Sequence, residues 1–169
     1  MSSNTNFFKQ VISAWLPALL GVLVIMIEST DYFSSANTSG PLRHLWIMLF
    51  GPVNTTQWLE IHTYIRKAGH VLGYGILNAL FFRAWYLSLR MINERTPQRV
   101  LVSTVLALLS TFVIGSFDEL HQKFLPNRTS SPMDVAIDMA GAITVQLIIS
   151  LFYVNRERRR QQLPVETNT

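Results

Sequence analysis

The stretch VLVSTVLALLSTFVIGSFDELHQKFLPNRTSSPMDVAIDMAGAITVQLIISLFYV, residues 100–154, is two long apolar runs joined by a polar hinge. Each run is close to the ~20 residues that an α-helix needs to cross a bilayer. Lipid offers no partner to a stray backbone N–H or C=O, so runs of this length are expected as helices. The strands of a membrane barrel would alternate in short segments, and these do not. Working outward, two further runs have the same character: VISAWLPALLGVLVIMI at 11–27 and VLGYGILNALFFRAWYLSL at 71–89. The expectation is an all-α membrane protein, a bundle of four transmembrane helices over residues 11–154.

Composition agrees. The chain of 169 residues is 49% hydrophobic and 14% charged, against about 25% charged in an ordinary soluble domain. It has no cysteine and so no disulfide or thiol chemistry. Its formal charge of +4 is set by where the basic residues fall along the membrane helices, and no nucleic-acid partner is expected. The first run could be read as a cleaved signal peptide. It is longer than the usual apolar core of about 7–15 residues, and Glu28 and Asp31 interrupt the approach to the small residues at 34–36. A retained helix is expected.

Positive charge orients the bundle. With four spans, residues 1–10, the 90–99 loop and the tail at 155–169 lie on one side, carrying Lys9, Arg90, Arg95, Arg99, Arg156, Arg158, Arg159 and Arg160. Arg43, Arg66, Lys67, Lys123 and Arg128 lie on the other. Both termini are therefore expected in the cytoplasm. The 30–69 connection then lies outside, with LWIMLF at 45–50 as a short interfacial piece, too short to span.

Three polar stripes converge at the outer end. Lys67, His70, Tyr74 and Asn78 recur at helical spacing on the second helix, Gly115, Glu119 and Gln122 on the third, and Asp134, Asp138 and Gly141 on the fourth. A charge inside a bilayer is costly unless it pairs or reaches water, so such residues face the bundle interior and mark function. Lys67 and Arg128 are the natural countercharges for Glu119, Asp134 and Asp138, and arginine offers a fork that suits a carboxylate or phosphate. Asn78 is expected to join helices, the glycines to let them approach, and Tyr74 to pack with its hydroxyl near the interface. His44, His62 and His121 are expected in loops. Asp134 sits where a carboxylate favours a helix start, after hydroxyl caps and Pro132. A metal held by His70, Glu119, Asp134 and Asp138 lacks a compact ligand spacing and would sit beside Lys67 and Arg128. No metal and no cofactor are expected.

The blocks IRKAGHVLGYGIL and DELHQKFLPNRTSSPMDVAIDMAG resemble the motifs of the VanZ-like membrane proteins. The matching positions are Arg66, Lys67, His70, Tyr74, Glu119, Gln122, Phe124, Arg128, Ser131, Asp134 and Gly141. Two positions depart from the family pattern: Gly73, where many relatives carry an acidic residue, and Asp138, where asparagine is usual. The resemblance implies a multi-pass protein of the bacterial cytoplasmic membrane. It also implies a link to resistance against teicoplanin, a glycopeptide acting on peptidoglycan precursors outside the membrane.

Three functions fit these residues. In the first, Lys67, His70, Tyr74, Glu119, Gln122, Arg128, Asp134 and Asp138 bind an anionic lipid or a peptidoglycan precursor. In the second, the chain is an enzyme acting on a lipid-linked substrate, with Glu119 or His70 as general base. In the third, the charges form a buried structural network, which is a poor source of stability. The sequence leaves open whether the protein is an enzyme.

Overall fold

Pro17 interrupts the apolar run of the first helix, and the way the protein repairs that break shows how the bundle is held together. The computed structural model describes residues 2–92, 96–126, 128 and 130–162, with backbone alone at 2–6, 157–158 and 160–162. The described chain is helical: α1 (Ser2–Glu28), a single 3₁₀ turn (Asp31–Phe33), α2 (Ser35–Phe50), α3 (Thr55–Arg90), α4 (Thr96–Gln122) and α5 (Pro132–Gln162). A proline inside a helix has no N–H, so the carbonyl four residues earlier loses its partner. In α1 that carbonyl belongs to Ser13. Arg83 of α3 supplies the missing donor, reaching Ser13 O at 3.0 Å and Ala14 O at 3.1 Å. Arg83 thus pairs internally, and Trp15 packs edge-on against Trp85 one turn away.

α3 is the axis of the bundle and touches every other helix. It runs antiparallel to α1 and to α4. Tyr74 meets Asp118, Asn78 meets Thr111 and Trp85 meets Ser110, so rising numbers on α3 meet falling numbers on α4. It runs parallel to α5, where His70 meets Asp138 and Asn78 meets Gln146. The four long helices therefore alternate in direction.

Among the described residues three stretches are long and apolar enough to cross a membrane: Phe7–Glu28, Thr96–Gln122 and Pro132–Arg156. The expected span at 71–89 lies within α3, which is less apolar because it carries Asn78 and Arg83, both bonded to neighbouring helices. Two glycines set the packing of α3 on α5. A Cβ on Gly141 would stand 2.1 Å from Val71 O, and one on Gly75 would stand 2.8 Å from Val145 Cγ2. α3 and α5 come this close because at each of these contacts one of the two helices carries no side chain.

The 30–69 connection is not a loop. α2 takes up 35–50, including Gly40 and Pro41, and α3 starts at Thr55, well before the expected Val71. The FGPVNTT signal marks the break between them. Gly51 ends α2 at a φ of 91°, and Asn54 caps α3 by accepting from Gln57 N at 2.9 Å. The turn-like composition at 34–41 is overridden by side-chain bonds that tie α2 to α3: Trp58 Nε1 donates to Ser39 at 2.8 Å, and His62 sits between Ser35 and Thr38. LWIMLF is the exposed last part of this 16-residue helix. The polar tail expected from residue 155 continues α5 as far as Gln162. Arg95 and the side chains of Arg158 and Arg160, used above to orient the chain, lie outside the described residues, as do residues 163–169.

Replacing Arg83 with leucine should strip the α1 carbonyls of their donor and lower stability by about 1.5–3 kcal/mol, the range for a hydrogen bond from a charged group. In a Pro17→Ala background, where residue 17 again donates to Ser13 O, the loss should be smaller. Thermal unfolding of the four proteins in detergent measures the cycle, and equal losses in both backgrounds would refute the repair.

Candidate functional site

The polar hinge is stitched down residue by residue. Ser131 Oγ accepts from Met133 N at 3.0 Å and starts α5 beside Pro132, as the TSSP sequence predicts. Ser130 Oγ donates to Glu119 O at 2.7 Å, and Ser131 N donates to Glu119 Oε2 at 3.1 Å. Glu119, 5% exposed, therefore holds the hinge. Arg128 donates to Glu28 O and, at 2.7 Å, to Thr30 O. It satisfies the Glu28 carbonyl left open at the end of α1 and adds a second donor to Thr30 O, which already accepts from Phe33 N. His121, expected in a loop, lies in the last turn of α4 and bonds Ser29 at 3.0 Å.

Behind the hinge lies a buried carboxylate layer. The ion pair found among the described residues is His70 Nδ1 with Asp138 Oδ1 at 3.1 Å. Pairing of Lys67 or Arg128 with Glu119, Asp134 or Asp138 is thus not what the structure shows: the arginine is drawn to open backbone carbonyls, and Glu119 to a backbone N–H. Asp138 is 1% exposed and lies along Gly115, whose missing side chain leaves room for it and for Tyr74. Tyr74 is buried, its ring stacks near His70, and its O–H donates to Asp118 Oδ2 at 2.8 Å. Gln122 donates to the same oxygen at 2.9 Å. Asp118 is thus the acceptor that joins two expected site residues, although it was not itself expected. Its signal was available: Gly115, Asp118 and Gln122 share helical spacing as well as Gly115, Glu119 and Gln122 do.

One turn deeper, Asn78 joins helices as expected. It donates to Gln146 Oε1 at 2.9 Å and accepts from Thr111, while Gln146 donates to Thr104 at 2.8 Å.

Two clefts open on this layer. A polar one of about 320 Å³ is lined by Ser35, Thr63, Arg66, Lys67, His70, Glu119, Gln122 and Asp134. A larger one of about 670 Å³ runs between α1 and α3, apolar along most of its length, with Arg66, His70, Tyr74, Asp118, Gln122 and Arg128 at one end. Arg66, His70 and Gln122 border both. Of the eight expected residues, seven line one or both clefts, and Asp138 reaches them through His70. Among the described residues no group of three or more His, Asp or Glu side chains could hold a metal ion.

A helical membrane protein with a polar chamber at one end of its bundle is the class that this geometry defines. The chain belongs to the VanZ/LLP1 family, whose model matches residues 14–153. No curated protein and no solved structure matches it.

His62 fastens the cover of both clefts, since Ser35 lines one and Thr38 the other. The Thr38 hydroxyl donates to Ser34 O at 2.9 Å and so accepts from His62 Nε2–H at 3.2 Å, which leaves Nδ1 to accept from Ser35. This arrangement needs the neutral ring. Burial, and next the charge of Arg66, hold the His62 imidazole below its ordinary pKa of 6.5. A lowered histidine pKa means that the unfolded form takes up the proton more readily, so stability is present above 6.5 and is lost as pH falls below it. Protection of residues 35–50 against hydrogen exchange, taken relative to the intrinsic rate at each pH, should fall between pH 7 and pH 5, and His62→Gln should flatten that fall. An α2 equally protected at both pH values would contradict the arrangement.

Proposed function

We propose that this VanZ/LLP1-family protein is a four-span membrane protein with both termini in the cytoplasm, and that its outward-facing polar cleft binds an anionic component of the cell envelope. The observation that carries the reading is the convergence of Arg66, Lys67, His70, Glu119, Gln122 and Asp134, from α3, α4 and α5, on one cleft. A structural network would be expected to pair its cations internally. Here Lys67 is exposed, and Arg66 makes no hydrogen bond or ion pair among the described residues. The alternating directions of the four long helices support four spans, with α3 crossing despite its polar side chains. The excess of arginine on the side of the termini supports the orientation.

The absence of cysteine makes the topology directly testable. In intact cells a single cysteine at Ser130 should react with a membrane-impermeant maleimide, whereas one at Gln98 should react only after lysis. The reverse pattern would invert the protein and remove the outward-facing cleft.

Function is read by teicoplanin susceptibility of a sensitive Gram-positive host, with vancomycin alongside, at matched membrane levels of each variant. Wild type should protect, and Lys67→Ala and Arg66→Gln should each lose most of that protection. Protection that survives both substitutions would count against an anionic ligand.

A second reading is favoured by one feature of the site. His70 turns Nδ1 toward a buried carboxylate, which orients the ring and leaves Nε2 for a substrate, while Glu119 is engaged with Ser131 N. If the protein is an enzyme acting on a lipid-linked substrate, His70 is then a better general base than Glu119. His70→Gln should lower turnover by about 10²–10⁴-fold, the usual worth of a positioned base, with binding retained. Loss of binding together with turnover would assign His70 to the binding site instead.

A further inference from the structure

The larger cleft is more than an extension of the polar one. Its walls are Leu20, Gly21 and Val24 on α1 and Gly69, Gly73 and Ile76 on α3. The α3 wall is recessed because two of these residues lack side chains: a Cβ on Gly69 would meet nothing within 4 Å, and one on Gly73 only Ile25 Cδ1 at 3.5 Å. Along α1 it extends from Pro17 to Glu28. That distance is about 16 Å at 1.5 Å per residue, or about half of a ~30 Å hydrocarbon core. The groove has the depth of one leaflet.

Its polar end carries two kinds of unmet demand. Arg128 keeps its Nε buried without a hydrogen-bond partner, and Asp118 keeps Oδ1 in the same condition. One atom asks for an acceptor and the other for a donor. Arg66 borders the same end, and its charge, after burial, opposes protonation of Arg128. Two guanidinium groups with that repulsion between them suit an anion with several oxygens. Because Asp118 and Glu28 share the end, a bare anion alone would leave the carboxylates unanswered. A head group that brings both a phosphate and a hydroxyl answers both demands.

We propose that this groove seats one hydrocarbon chain of a phosphodiester lipid with a hydroxyl-bearing head group. Its phosphate lies on Arg66 and Arg128, and its hydroxyl donates to Asp118. The assignment rests on the anion-binding reading above, since Arg66 borders both clefts. It adds the ligand's chemistry and places its chain.

The protein, exchanged extensively in detergent, is titrated with phosphatidylglycerol, phosphatidylcholine and diacylglycerol, and retention is read by native mass spectrometry. Phosphatidylglycerol carries phosphate and hydroxyl; phosphatidylcholine lacks the hydroxyl and diacylglycerol the phosphate. Wild type should retain phosphatidylglycerol at least about tenfold more tightly than either, a difference of about 1.4 kcal/mol. Arg66→Gln should erase that preference, and inorganic phosphate should not displace the lipid. Gly69→Leu with Gly73→Leu should weaken all three lipids alike, with tryptophan-fluorescence melting reporting that each variant is folded. Equal retention of the three lipids by wild type would overturn the assignment without any variant. If inorganic phosphate competes and the filled groove changes nothing, the anion site stands and the groove assignment falls. If Arg66→Gln leaves the preference intact, both fall.

Discussion

The contact between α3 and α5 at Gly141 is the constraint on which the site depends. The main chain of α3 at Val71 lies where any side chain at 141 would have to be. That approach sets the register of two parallel helices, and the polar pairs follow from it: His70 with Asp138 one turn outward, Asn78 with Gln146 inward. In a bilayer, close packing and interhelical hydrogen bonds replace the hydrophobic force that holds soluble bundles. Each polar pair here both glues helices and solves the problem of a buried polar group.

The bundle follows a second rule, that donors go first to whatever backbone is left open. Pro17 opens Ser13 O and Arg83 closes it; the end of α1 opens Glu28 O and Arg128 closes it. These arginines are part of the framework through one nitrogen each. Arg128, together with Arg66 and Lys67, also borders the clefts. Carboxylates and cations thus stand near one another without neutralising pairs, an arrangement more suited to an incoming ligand than to stability.

Much of this was legible in the residues. Four apolar runs marked the four long helices, three of which are long and apolar enough among the described residues to cross a membrane, because a bilayer imposes one length on any helix that crosses it. Helical spacing placed Lys67, His70, Glu119, Gln122 and Asp134 on common ground, because residues three and four apart share a face whatever the tertiary context. The motif residues, in two short blocks, resembled the family whose model matches residues 14–153. Local chemistry was legible too: the Ser131 and Pro132 start of α5, and the Gly51–Asn54 break.

Partner choice was not legible, because it depends on which backbone groups other helices leave unsatisfied. Composition alone could not place α2, whose Ser, Thr, Gly and Pro read as turns until Trp58 and His62 bind its hydroxyls. Asp118 was hidden by its neighbour Glu119, since both satisfy helical spacing and only the position of Tyr74 decides between them. The sequence by itself determined a helical membrane protein of the VanZ/LLP1 family and the stripes that form its polar end. Only the tertiary structure decided which charges meet, that His70 takes Asp138 while Arg128 takes carbonyls, and that a leaflet-deep groove opens beside them. Those outcomes depend on distances between helices, and such distances are set by packing at a few glycines rather than by any local pattern.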